Sequence, residues 1–285
     1  MLTNCNSELE LPLISPCSQK EADTRLLLHS SLCDDGAAIW TVDTDVLVIS
    51  TGVFHDLKLD QLWVEIGYPS SIKFPVHAIA ERLGKDVCKA LLFFHAFTGC
   101  DTVSSFFHIG KNTSWKVFLE NKALFTEVFD ELSRGKELDD KKFTVVEKFV
   151  CLLYKQSSQN DVDSCRLAMH SKGVTFDRLP PTKSALLLHT KRAMLQSYIW
   201  RHSLEATPPN KDPIAWGWKK YEDKNSYYPH WSSLPAAVTL VDHFKKCSCN
   251  VKCTSRCSCK KNNLKCTSLC KCDYELCNHS ISVSS

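Results

Sequence analysis

The chain has 285 residues, of which 44% are hydrophobic and 24% are charged, and its formal net charge is +3. This composition predicts one large globular core with a small additional domain, and the slight charge does not by itself indicate a nucleic-acid partner. No apolar run reaches the roughly 18 residues of a membrane span, and the first 20 residues lack a signal-peptide pattern. We therefore expect an intracellular protein with no membrane partner.

Residues 1–19 are predicted to be a disordered lead-in, and residues 20–32 a helix with Glu21 and Asp23 in its first turn. Thr41–Ser50 is short, rich in Val and Ile and followed by Gly52, a pattern that predicts a buried strand of a parallel sheet.

The leading end of this stretch carries two aspartates, Asp43 and Asp45. Residues two apart on a strand project to the same side, and paired carboxylates suit hard cations such as Mg²⁺ or Mn²⁺. A plainer alternative is that one aspartate caps the next helix while the other is solvated.

Further elements follow in alternation. Residues 62–66 are predicted to form a second strand, and residues 75–84 and 85–97 two helices. Strands that alternate with helices favour an α/β fold with parallel strands. His77 and His95 are interpreted as packed or capping histidines rather than ligands.

Three acidic motifs occur in a fixed order. They are the helix start with Glu21 and Asp23, the D-x-D pair Asp43 and Asp45, and a G-x-D turn that ends at Asp101. In this order the chain resembles the flap-endonuclease family of PIN-like nucleases. The resemblance implies a PIN-like parallel sheet with flanking helices over residues 20–120, and five catalytic ligands for two Mg²⁺ or Mn²⁺ ions that hydrolyse a phosphodiester bond.

The chain departs from this family at its start. Members of the family carry a first strand and further aspartates before the E-x-D helix, whereas residues 1–20 contain no aspartate. The sequence thus resembles an N-terminally truncated member. Three interpretations of the function stay open. The protein is an active nuclease, a non-catalytic DNA- or chromatin-binding protein, or an inactive mobile-element-derived remnant.

A glycine turn precedes the next amphipathic helix, at Gly110 and Lys111. In flap endonucleases a similar turn grips DNA through its backbone, and N–H groups at a helix start together with a lysine favour phosphate. Both residues are therefore predicted to bind nucleic acid, with an ordinary helix-start turn as the alternative.

Residues 121–204 are predicted to form a helical extension, and residues 205–246 a linker rich in proline and aromatic residues. His189 and Arg192 lie three apart on one helix face and are interpreted as a solvated edge rather than a phosphate site. The linker aromatics are interpreted as a cover over the helices. They would stack on bases only if a basic groove surrounded them.

The C-terminal region is the most specific feature of the sequence. Nine of the sixteen cysteines lie between residues 247 and 277, and this crowding predicts a metal site in a reducing compartment, with a disulfide framework as the alternative. The predicted zinc ligands are Cys247, Cys249, Cys253, Cys257, Cys259, Cys266, Cys270, Cys272 and Cys277. The spacing resembles the CXC domains of tesmin-type DNA-binding proteins, which implies a module over residues 247–279 that holds three zinc ions through six terminal and three bridging thiolates.

This region is also basic. Residues 245–279 contain eight Lys or Arg against two acids. The residues predicted to meet nucleic-acid phosphates are Lys252, Arg256, Lys260, Lys261, Lys265 and Lys271. DNA is therefore the predicted partner and the nucleus the expected location, while nothing predicts a small-molecule cofactor. A purely structural or protein-contacting cluster stays open.

Overall fold

The computed structural model describes residues 17–232, 246–250, 252–261, 264–266, 270–272 and 277. Residues 1–16 of the predicted lead-in and residues 233–245 of the predicted linker lie outside this part. The fold is mixed α/β, with helices predominating over two small sheets. The elements are α1 (Ala22–Ser30), β1 (Gly36–Thr41), α2 (Thr44–Val53), β2 (Gln61–Ile66), β3 (Ile72–Pro75), α3 (Val76–Leu83), α4 (Lys85–Phe97), α5 (Lys111–Glu120), α6 (Lys122–Ser133), α7 (Asp140–Leu153), α8 (Val162–His170), α9 (Lys183–Arg201), β4 (Trp218–Lys220), β5 (Tyr227–Pro229) and α10 (Ser258–Lys261).

The first sheet has the order β1-β2-β3, with β1 parallel to β2 and β3 antiparallel to β2. The second strand, predicted at residues 62–66, is confirmed, and so are the two helices that follow it. One parallel pair among the described strands does not establish a PIN-like parallel sheet, which stays a prediction.

The strand predicted at Thr41–Ser50 is wrong. The strand ends at Thr41, and the Val- and Ile-rich run forms helix α2. Asp43 starts this helix, because its side chain accepts a hydrogen bond from the backbone N–H of Asp45 at 2.8 Å. The run has little periodicity because Ile49 to Val53 are all buried, and such a run cannot be told from a buried strand by pattern alone.

Aromatic side chains build the core around α4. Six phenylalanines from four helices are fully buried and pack ring against ring: Phe93, Phe97, Phe118, Phe125, Phe129 and Phe149. One hydrophobic cluster runs from Leu27 to Trp200. Residues of the predicted nuclease core and of the predicted helical extension therefore share a single core.

The described part of the predicted linker is not simply loop. A short 3₁₀ turn, Pro213–Trp216, leads into the β4–β5 hairpin. This segment lies against α9, where Arg192 donates hydrogen bonds to the carbonyls of Gly217 and His230 at 3.1 and 3.4 Å. Arg192 and His189 are only 6% and 7% exposed, so the interpretation of this helix face as a solvated edge is wrong.

Within the residues that the structure describes, no helix is both long enough and apolar enough to span a membrane.

Candidate acidic centre and cysteine cluster

Three chain segments bring the five predicted acids to one region, which we call the acidic centre. Glu21 and Asp23 lie at the start of α1, and Asp43 and Asp45 lie where β1 gives way to α2. Asp101 is exposed in a tight turn after α4, closed by paired backbone hydrogen bonds between Cys100 and Val103.

The turn requires the glycine of the G-x-D motif. Gly99 has a φ of +118°, and a Cβ atom there would lie 2.9 Å from the Cβ of Ser105. A side chain at this position would therefore displace the loop that carries Asp101.

The pKa of Asp23 reflects the closeness of the other four acids. Partial burial raises the pKa of Asp23 above its ordinary value, and the charges of Asp43, Glu21, Asp45 and Asp101 raise it further. Among the described residues no hydrogen bond or ion pair is made to this carboxylate, and the five largest influences on it all raise its pKa. Accumulated negative charge of this kind is typical of functional sites.

Asp45 has a different environment. Its Oδ1 lies 2.7 Å from Nε2 of His95, a residue only 5% exposed on α4. Burial opposes ionisation of Asp45, but the hydrogen bond from His95 and the attraction of His95 and Lys111 hold the pKa of the carboxyl below its ordinary value. His95 is therefore packed, as predicted, but it also orients an acid of the centre.

Lys111 completes this network. Its Nζ lies 3.0 Å from Nδ1 of His95 and donates to the carbonyls of His95 and Gly99. Burial lowers the pKa of Lys111, and the nearby Asp45 and Cys100 oppose that shift. The ammonium group predicted to meet DNA is thus directed toward the acids, while Gly110 occupies the N-cap position of α5.

A second hydrogen-bond chain fixes Glu21. Nε2 of Gln196 on α9 donates to Glu21 Oε1 at 3.0 Å, and the Gln196 Oε1 accepts from the Thr102 hydroxyl at 2.7 Å. Sequence reasoning missed Gln196, because α9 carries several other polar residues and nothing in the local pattern distinguishes this one.

The acids are grouped but not preassembled. In the described parts of the chain, sets of three or more candidate ligand atoms within 4.8 Å of one another occur only among cysteines. The donor set still suits a hard divalent cation, because it consists of carboxylates and Asp23 makes no ion pair with the described residues. Binding would require the carboxylates to move closer together.

The cysteine cluster does have ligand geometry. All nine predicted sulfur ligands are reduced thiols that group together, so the alternative of a disulfide framework is not what the structure shows. Sγ–Sγ distances are 3.6 Å for Cys247–Cys253, 3.4 Å for Cys253–Cys266 and 3.7 Å for Cys259–Cys270. Four thiolates arranged tetrahedrally at the usual zinc–sulfur distance lie about 3.8 Å apart, so the cluster is compatible with zinc.

Cys247 has a central position in this cluster. Three four-cysteine sets have their sulfur atoms within 4.8 Å, and Cys247 belongs to each of them. A shared thiolate is what a bridged multinuclear centre requires, although these sets do not fix the number of ions. The basic residues predicted to meet phosphates are all exposed: Lys252, Arg256, Lys260, Lys261, Lys265 and Lys271.

Comparisons with protein-family models, with curated proteins and with solved structures found no match. The acidic centre and the cysteine cluster are therefore the basis for any functional proposal.

Proposed function

We propose that this protein hydrolyses phosphodiester bonds of nucleic acid at the acidic centre, and that the zinc-loaded cysteine cluster helps to anchor it on its substrate. The observation that carries the proposal is the proximity of five acids from three motifs: Glu21, Asp43, Asp45 and Asp101 lie close enough to Asp23 to raise its pKa, in addition to the effect of burial. Three motifs separated along the chain thus supply one concentration of carboxylates.

The residues of the centre have distinct parts in this proposal. Asp43 is fixed as a helix cap, Asp45 is oriented by His95, and Glu21 is held by Gln196. Asp23 and Asp101 have no such bond from the described residues, so they are the carboxylates that can turn toward a cation. Mg²⁺ or Mn²⁺ bound by these five acids would supply Lewis-acid stabilisation of the phosphoryl oxygens and activation of water.

Cleavage of end-labelled single-stranded, duplex and flapped DNA tests the proposal. Zinc-loaded protein should cut in Mg²⁺ or Mn²⁺, and the double variant Asp43→Asn/Asp45→Asn should not. Asparagine is as good an N-cap as aspartate, so the double variant keeps the start of α2. The matched control is Asp34→Asn/Asp35→Asn, which removes two exposed acids before β1 and should cut normally.

A second candidate function is nucleic-acid binding without catalysis. One observation favours it, because His95 and Lys111 already compensate Asp45 and, among the described residues, no three carboxylates are within ligand distance of one another. A folded, zinc-loaded protein that shifts DNA but leaves every substrate intact in both metals would select this function over hydrolysis.

A further inference from the structure

Arg192 is a buried cation without an anion among the described residues. Its Nη1 donates to the two carbonyls of Gly217 and His230, and no ion pair joins it to a carboxylate in the described ranges. Burying a charge without a counter-charge is costly, and a guanidinium has five donors in a fork that matches phosphate. An anion placed beside this side chain would meet a positive charge that no described carboxylate neutralises.

A cavity of ≈ 240 Å³ lies beside this guanidinium. Its wall includes Phe107 and Trp231, which are 46% and 68% exposed, and the Trp231 ring centre lies 5.9 Å from the guanidinium carbon. Exposed aromatic rings beside a cation are the components that hold nucleobases and phosphates in single-strand binding sites.

A second depression of ≈ 290 Å³ adjoins this cavity. The two share Phe107 and Tyr154, and the second adds Lys155 and Arg178. We call the two depressions together the trough. It is lined by aromatic rings and by the cations Arg192, Lys155 and Arg178, and it is larger than a single phosphate group. This is the basic surrounding that aromatic residues need if they are to stack on bases.

The trough lies next to the acidic centre. Arg192 and Gln196 are four residues apart on the same face of α9, which places them about 6 Å apart along the helix axis. Gln196 contacts Glu21, and the loop after Asp101 supplies both Thr102, bonded to Gln196, and Phe107 in the trough. A ligand in the trough would therefore extend toward the acids.

We propose that this trough binds a single strand of nucleic acid, with Arg192 on a backbone phosphate and with Trp231 and Phe107 stacked on bases. Stacking of this kind needs unpaired bases, which favours a single strand over a duplex. The inference deepens the proposed function, since it names the substrate class of the same centre.

Fluorescence anisotropy with a labelled thymidine hexanucleotide and a matched duplex tests the inference. Zinc-loaded full-length protein is used without added Mg²⁺ or Mn²⁺, so that binding is measured apart from cleavage. We expect the single strand to bind more tightly than the duplex. The slope of log affinity against log salt should be about −2, because Arg192, Lys155 and Arg178 supply three cations. Trp231→Ala should weaken single-strand binding about fivefold or more, and Arg192→Lys, which loses the fork, should also weaken it.

The controls separate this inference from its alternatives. Tyr221→Ala removes another exposed ring, one that packs on Tyr228 and does not line the trough, and should bind as wild type. Trp231 is largely exposed, so its variant decides the matter if Arg192→Lys fails to fold. Three results would each overturn the inference. They are an unchanged affinity in Trp231→Ala, the same affinity for single strand and duplex, and competition by free thymidine monophosphate that is as effective as competition by the unlabelled hexanucleotide. Tight, Trp231-dependent binding without any cleavage in metal would uphold it while removing the hydrolysis proposal.

Discussion

The buried histidine His189 predicts a specific loss of stability in acid. Its Nε2–H donates to the carbonyl of Phe97 at 2.8 Å, and the ring is 7% exposed. Burial lowers the pKa of His189 to about 4, with the hydrogen bond to Phe97 opposing the shift and Arg192 adding to it. The folded protein therefore keeps this ring neutral at pH values where the unfolded chain protonates it.

The sign and size of the effect follow from linkage. Between an unfolded pKa of about 6.5 and a folded pKa of about 4, the unfolded state binds more protons, so stability falls as the pH falls through this window. Each pH unit within it is worth about 1.36 kcal/mol, so His189 should cost about 2.5 kcal/mol of unfolding free energy at pH 4.5 relative to pH 7.5.

Urea unfolding followed by tryptophan fluorescence measures this loss. In His189→Gln the amide can still donate to Phe97 but does not titrate, so its loss of stability between the two pH values should be about 2.5 kcal/mol smaller than that of the wild type. His108→Gln, at an exposed histidine, should keep most of the wild-type dependence. If wild type and His189→Gln lose the same stability, the neutral buried imidazole is refuted.

Three further predictions concern the two centres and the core. Without added Mg²⁺ or Mn²⁺, Asp23→Asn should raise the urea midpoint at pH 7.5, because it removes a negative charge that neighbouring acids disfavour. Mn²⁺ at one hundred times its dissociation constant should stabilise the wild type by about 2.7 kcal/mol and should stabilise the variant less. Cys247→Ser should lower the zinc content found by mass spectrometry more than Cys249→Ser, which belongs to one four-cysteine set rather than three, and equal losses would contradict a shared thiolate. Gly52→Ala should destabilise the fold by about 1–3 kcal/mol in the same urea assay, because a Cβ would lie 2.7 Å from Cγ of the buried Leu92, and an unchanged midpoint would show that the core yields there.

Local chemistry made part of the structure predictable. The strand at residues 62–66 and the helices around residues 76–97 follow from short-range signals such as alternation, a proline at a helix start and Gly84 at its end. The cysteine spacing likewise predicted a thiol cluster, since sulfur ligands close together in the chain have few other arrangements.

The same reasoning failed where long-range packing decides the outcome. The run after Thr41 looked like a strand, although Asp43 is a preferred N-cap residue and the run is a helix buried under α4. His95, Lys111 and Gln196 came to the acidic centre through contacts 16 to 175 residues apart in the chain, which no local pattern encodes. The five acids were named from a resemblance and not from geometry, and their role as ligands stays a prediction.

The hydrogen bond from Gln196 to Glu21 can form only late in the synthesis of this protein. It joins residues 175 positions apart, so the segment carrying Glu21 leaves the ribosome long before its partner in α9 exists. Chains are made at about 5–20 residues per second, and contacts between distant segments form late. The acidic centre therefore acquires its final arrangement only after residue 201 has emerged, and a fragment that ends at residue 120 would carry all five acids without the helix that orders the first of them.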